Sequence, residues 1–433
     1  MLETIGFALG GLLMDILGQK SATSMTATAL SVAVAWQEAK VFDIPTQPDP
    51  MVETIVEDYL KRLVSLGYSR DRQGVWIQSE WAELAKHQDS IPASAASLTK
   101  IATTIAALET WDLNHRFETR IYQTGVIHNG ILEGDLLVEG GGDPLFVWEE
   151  AIAIGNALNE LGIRQIKGNL IVTSNFKMNF QSDPRKSGKL FKQGLDSRRW
   201  SSEVQKQYQT LPQGTSRPQI EIAGTIQVQP SIPDTAQLLL RHQSLTLTQL
   251  LKQMNIYSNN VMAEMLGESV GGAAVVSKIA ARAANVSAEE IRLINASGLG
   301  VDNRLSPRAA GKMLIALDRK LDSQPRSVSD LFPLSGRDRH GTMQWRAIPS
   351  GVVIKTGTLA QVSALAGVIP TKERGLVWFA IINHGNNIER LRAEQDRLLQ
   401  NLSRHWQIIP ATTTIGTDNA YLGDPSRNLK DEG

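Results

Sequence analysis

The sequence predicts a mixed α/β (α+β) chain in which an antiparallel sheet flanked by helices is interrupted by a β-rich insertion. Three observations carry that reading. Residues 352–354 run into Lys355-Thr356-Gly357-Thr358, and 363–369 and 375–383 follow after short turns, the spacing of consecutive antiparallel strands. Residues 92–108, with apolar residues at helical spacing, and 387–406 read as helices. Between them lie short, glycine-punctuated, β-prone segments at 119–124, 130–132 and 135–139.

Composition limits the function classes. The chain has 433 residues, 42% hydrophobic and 20% charged, which suits two or three globular domains. Lys plus Arg and Asp plus Glu are both 44, so no global basic field points to nucleic acid. There is no cysteine, which excludes disulfides, thiol nucleophiles and thiolate zinc sites. His87, His115, His128, His242, His340, His384 and His405 form no H-E-x-x-H and no close pair, and each reads as a surface or turn residue. No metal and no cofactor is expected.

Taken in order, residues 1–45 read as a leader with its linker. Residues 5–13 are apolar but too short to span a bilayer. With translation from Met14, Lys20 is a short positive region, 25–34 a weak apolar one and Ala33-Val34-Ala35 a cleavage site; an N-terminal helix packed on the body is the alternative. After Pro45, Pro48 and Pro50, residues 51–66 read as an amphipathic helix with Ile55, Tyr59 and Leu63 on one face, and 74–80 as a strand. In 92–108, Leu98, Ile101, Ile105 and Leu108 mark a buried helix with Ser94 as its N-cap. Residues 149–161 read as a helix and 169–173 as a strand. Residues 175–219 are polar and read as a mobile insertion, closed by a strand at 220–228. Pro307 starts a helix at 306–317. Residues after Pro410 read as a disordered polar tail. The division expected is 1–45 leader, 46–115 with 240–410 as a discontinuous catalytic domain, 116–239 inserted, and 411–433 tail.

Chemistry concentrates at three places. Ser97 and Lys100 lie one helical turn apart, so an amine can reach a hydroxyl. Ser258-Asn259-Asn260 falls in a loop between two helical runs, where side chains can face a cleft. Lys355-Thr356-Gly357 sits on a strand. Decoys fail on context: Ser174/Lys177 opens no helix, Lys186-Ser187-Gly188 follows no strand, and Ser426/Asn428 lies in the tail.

In that order the motifs are those of the serine acyl-transferases, the penicillin-binding proteins and β-lactamases. The chain resembles the class C low-molecular-mass penicillin-binding proteins, the D-alanyl-D-alanine carboxypeptidase and endopeptidase family, from about Met51 to Trp406. Phe117-Glu118-Thr119, Gly134-Asp135-Leu136, Gly142-Asp143-Pro144, Ser297-Gly298-Leu299, His340-Gly341-Thr342 and Leu365-Ala366-Gly367 share in it. The long stretch between Ser97 and Ser258 matches this family; serine β-lactamases have a shorter one. Two departures stand out: the insertion is less strand-rich than is usual, and Asn295-Ala296 replaces Asp-Gly before the Ser-Gly-Leu turn.

The resemblance implies a serine β-lactamase/transpeptidase-like domain and a serine-type D-Ala-D-Ala carboxypeptidase, or DD-endopeptidase, acting on peptidoglycan stem peptides through an acyl-enzyme. β-Lactams would inhibit it, and the protein would be periplasmic or in the cell envelope, with peripheral membrane association left open. Ser97 would be the nucleophile and Lys100 its neutral base, discharged by burial and by Lys355 nearby. Lys355 would stay charged to hold the substrate's carboxylate with Thr356, Gly357 and Thr358. Ser258 would return the proton, Asn260 would orient substrate and Lys100, and the backbone N–H groups of Ser97 and Thr358 would form an oxyanion hole. His340 is the histidine expected near the cleft. An inactive peptidoglycan-binding relative and a β-lactamase remain alternatives.

Overall fold

Asp49 caps the first helix: its carboxylate accepts from the Met51 amide at 3.1 Å, and Pro50 occupies the first helical position. The computed structural model describes residues 48–409 and 421–431. The leader, with Met14 and Ala33-Val34-Ala35, lies outside them. Helix α1 (Pro50–Ser65) buries Val52, Val56, Tyr59, Leu60 and Leu63. Strand β1 (Gln73–Ser79) follows, then β2 (Glu83–His87), which the sequence did not announce because Glu83 and Lys86 break its apolar alternation, as suits an edge strand. Helix α2 (Thr99–Thr110) is almost wholly buried. Ser94 is not its cap. It lies in a short strand, Ala93–Ser94, and a 3₁₀ turn, Ala96–Leu98, leads into the helix.

Residues 116–239, expected as an insertion, contain β3 (Glu118–Gln123) and β4 (Leu136–Glu139), then α3 (Trp148–Glu160) and β5 (Leu170–Thr173). Residues 175–219, expected to be a mobile loop, instead contain α4 (Pro184–Gly194) and α5 (Ser202–Tyr208). Asp183 caps α4 through the Arg185 amide at 2.8 Å. Phe191, Leu195 and Val204 are buried with Phe146 and Phe176. Each such side chain contributes about 1.5–3 kcal/mol, enough to seat a segment whose average composition is polar. Ser187 of the decoy Lys186-Ser187-Gly188 is buried and accepts from the Met178 amide at 3.1 Å.

Strand β6 (Ile226–Gln229) ends the expected 220–228 strand, whose first part is a separate short strand, Glu221–Ile222. Strand β7 (Gln237–Gln243) returns the chain to helices α6 (Leu247–Tyr257), α7 (Asn260–Ser269), α8 (Ala273–Ala284) and α9 (Pro307–Leu321). Strands β8 (Val353–Leu359), β9 (Val362–Thr371) and β10 (Gly375–His384) lead to α10 (Ile388–His405), and β11 (Asn428–Lys430) comes last.

Two sheets dominate. The first has the order β8-β9-β10-β1-β2 and is antiparallel throughout. Both its faces are buried: Ala364, Ala366 and Val368 face the core that contains α2, α6 and α9, while Leu365, Phe379 and Ile381 face α1 and α10. The second, β6-β5-β4-β3-β7-β11, mixes parallel and antiparallel pairs around a core of its own.

Two further expectations are corrected. Residues 421–431 are not a disordered tail: β11 pairs with β7, with His242 opposite Asn428. Arg427 reaches both oxygens of buried Glu150, at 2.6 and 2.7 Å. His242, read as a surface residue, is fully buried, with Nδ1 2.7 Å from Asn428 Oδ1 and Nε2 3.2 Å from Glu150.

Candidate active site

Ser97 sits in the 3₁₀ turn ahead of α2, and Lys100 in the helix's first turn, so both project from one short arc. Lys100 Nζ is 3.0 Å from Ser97 Oγ, 2.7 Å from Asn260 Oδ1 and 2.7 Å from the Ser297 carbonyl oxygen. The two carbonyl oxygens can only accept. A neutral amine has two N–H bonds and one lone pair, so both N–H bonds go to Asn260 and Ser297. The lone pair is left facing the Ser97 hydroxyl.

The backbone here is held in an unusual state. Ala96, just before Ser97, has φ +49°, a strained conformation for a residue with a Cβ. Two glycines allow the packing that maintains it. A Cβ on Gly298 would lie 2.0 Å from the Ala96 carbonyl oxygen, and one on Gly357 would lie 3.1 Å from the Ser97 nitrogen. The Ser297-Gly298-Leu299 turn and β8 thus close on Ser97 from two sides.

Between α6 and α7, Ser258 adopts a left-handed conformation, φ +52°, as the cap of α6. Asn259 caps α7, accepting from the Met262 amide at 3.1 Å. The reversal turns Ser258 and Asn260 toward different lysines: Asn260 to Lys100, and Ser258 Oγ to Lys355 Nζ at 3.0 Å. Lys355 also donates to the Thr356 carbonyl at 2.8 Å. Thr356 Oγ1 donates to Thr342 Oγ1 at 2.7 Å, which places the Gly341-Thr342 turn beside the strand. His340 itself is exposed. The structure therefore brings Ser97, Lys100, Ser258, Asn260, Lys355, Thr356 and Gly357 together, with Thr358 at the exposed end of the same strand.

Both lysines are fully buried. Burial pushes Lys100 down to about 7, against the opposing pull of the Glu264 carboxylate. Burial, and then the charge of Lys100, hold Lys355 well below the ordinary lysine range. The hydrogen-bond acceptors that Lys355 meets, Ser258 Oγ and the Thr356 carbonyl, are both neutral.

Sequence reasoning missed Glu264. One turn beyond Asn260 on α7, its carboxylate accepts from the Ala296 and Ser297 amides, both at 3.0 Å. It holds the turn whose carbonyl meets Lys100. Its place four residues after Asn260, on the same helical face, was the available signal.

The chain is similar to several known proteins. A carboxypeptidase of Mycobacterium tuberculosis is 27% identical over 353 aligned positions, covering 70% of this chain and 73% of that protein. The D-alanyl-D-alanine carboxypeptidase DacB of Haemophilus influenzae is 25% identical over 390 positions, covering 67% of this chain and 80% of that one. Among solved structures, a predatory peptidoglycan endopeptidase of Bdellovibrio bacteriovorus shares the fold with a TM-score of 0.70 at 19% identity, over 83% of this chain and 98% of its own. The model of the D-Ala-D-Ala carboxypeptidase 3 (S13) family matches residues 61–187 and 197–405. By that match over most of its length, the chain belongs to this family.

Proposed function

We propose that this protein is a serine-type DD-peptidase that cleaves D-Ala-D-Ala termini of peptidoglycan stem peptides through an acyl-enzyme on Ser97. The observation that carries the reading is Lys100 Nζ, 3.0 Å from Ser97 Oγ and 2.7 Å from two oxygens that can only accept. In its neutral form the amine gives its two N–H bonds to those oxygens and accepts from the serine.

In acylation, Ser97 Oγ bonds to the scissile carbonyl carbon as its proton passes to Lys100, and the carbonyl oxygen becomes negative. The Ser97 and Thr358 N–H groups are the donors assigned to that oxygen, a role supported by the close approach of β8 at Gly357. The C–N bond then breaks. The leaving amine takes a proton through Ser258, which is hydrogen-bonded to Lys355. Water cleaves the ester and restores Ser97. Asn260 orients Lys100 and the substrate amide, and Thr356 and Thr358 receive the terminal carboxylate. A carboxylate bound there would draw Lys355 back toward its charged form, so that the ligand supplies the counter-charge the free site lacks.

A β-lactam presents an amide carbonyl and a carboxylate in the same relation and would acylate Ser97. The reading includes a discontinuous catalytic domain with residues 116–239 inserted, supported by the separate core of that segment. It also includes export to the cell envelope, where the substrate lies. Among the described residues no helix is long and apolar enough to cross a membrane. Release of D-Ala from an acylated Lys-D-Ala-D-Ala peptide tests the activity: wild type should release it, and Ser97→Ala should not. Release by Ser97→Ala at the wild-type rate would overturn the assignment.

A further inference from the structure

A guanidinium approaches the Lys355-Thr356-Gly357-Thr358 strand from the layer opposite Lys100. Side chains alternate along a strand, so Lys355 lies on the α2 face of the sheet and Thr356 and Thr358 on the α10 face. Strand β8 is an edge strand, and Ser258 and Thr342 meet its residues Lys355 and Thr356. On α10, Arg392 donates from Nη2 to Thr358 Oγ1 at 2.8 Å and from Nη1 to Glu389 Oε1 at 2.7 Å. Thr358 is exposed, Arg392 about one-third exposed at 32%, and Glu389 largely free in solvent at 79%.

We infer that Arg392 is a specificity-determining residue that, with Thr358, binds a free carboxylate on the leaving residue of the substrate, and that Glu389 occupies the guanidinium until that carboxylate displaces it. The inference rests on the acyl-enzyme reading of the same cleft. Three features support it. The Thr358 hydroxyl accepts from Arg392 and keeps its own proton to donate, so the pair offers an anion two donors from adjacent groups. A guanidinium presents a rigid fork that matches a carboxylate, which a single lysine does not. Glu389 is a weakly held partner: it lies one turn from Arg392 on one exposed helix, a pairing worth only a few tenths of a kcal/mol. A substrate carboxylate fixed by the rest of the cleft competes favourably with it. The substrate class selected is a peptide whose leaving residue carries an unblocked carboxylate, as against one ending in an amide.

The test compares kcat/KM for two peptides that differ only at the C-terminus, one ending in D-Ala-D-Ala with a free carboxylate and one in its carboxamide. Wild type, Arg392→Gln and Glu389→Gln are measured, each after thermal melting has shown it folded. Arg392→Gln should lower the acid-over-amide preference about 10- to 100-fold, carried chiefly by KM, as expected for loss of a charge-assisted contact. Glu389→Gln, at an exposed position where folding is not at stake, should raise the preference about two- to fivefold by removing the competitor. A preference unchanged in Arg392→Gln, or lowered in Glu389→Gln, overturns the inference. Wild type that hydrolyses neither peptide overturns the peptidase reading and this inference with it.

Discussion

Glu264 holds the Ser297 amide at 3.0 Å, and the carbonyl of that same Ser297 accepts from Lys100 Nζ at 2.7 Å. One carboxylate thus fixes a backbone turn that in turn fixes the base. Glu264→Gln keeps the shape, but its amide has a single accepting oxygen for two backbone donors, and the charge is gone. Acylation should slow about tenfold, the loss expected for one buried hydrogen bond. Because the carboxylate favours the charged form of Lys100, its removal should also move the base's titration to lower pH. A wild-type rate with an unmoved pH profile would show that Glu264 has no part in positioning the base.

The pH dependence of acylation follows from Lys100. Its amine is the base only when unprotonated, and burial places its midpoint at about 7. Below that pH the charged form dominates and acylation should fall tenfold per pH unit; above it the rate should level off. Stopped-flow acylation from pH 5.5 to 9 measures this. A rate still climbing tenfold per unit at pH 9 would mean that the base titrates well above 7 and would contradict a Lys100 discharged by burial.

Lys100→Arg separates protonation from charge, since a guanidinium stays protonated in a protein. Single-turnover acylation should drop about 100- to 10,000-fold, and the remaining rate should lose its rise through pH 7. If the variant acylates at a wild-type rate, Ser258 with Lys355 becomes the proton acceptor for Ser97.

Arg427 ties the C-terminal segment to the insertion through Glu150, a pair whose side chains are only 4% and 1% exposed. Arg427→Ala leaves a buried carboxylate without its guanidinium and should destabilise by about 3–5 kcal/mol. Urea unfolding followed by intrinsic fluorescence reads the shift. A change under 1 kcal/mol would mean that residues 421–431 dock without this pair.

The outcome at each element shows what a sequence can reveal. Strands β8, β9 and β10 and helices α1, α3 and α10 were legible because apolar periodicity and turn residues report directly on local structure. Ser97/Lys100, Ser258/Asn260 and Lys355-Thr356-Gly357 were legible through their order and context. Residues 175–219 were not, because α4 and α5 are seated by a few anchors, Phe191, Leu195 and Val204, within an otherwise polar run. Glu264 and Arg427 escaped notice, and His242 was read as a surface residue, for another reason. Their partners, Ser297, Glu150 and Asn428, are set by tertiary placement, and no local pattern marks such a pair. How deeply Lys355 is buried is set by tertiary packing, which residue type alone does not disclose.

The central claim, an acyl-enzyme on Ser97, is tested most directly by treating the protein with a fluorescent penicillin and mapping the labelled peptide by mass spectrometry. One stoichiometric adduct is expected, on Ser97, and none on Ser97→Ala that retains the wild-type melting temperature. An adduct on Ser174 or another residue, or labelling of Ser97→Ala equal to wild type, would contradict it.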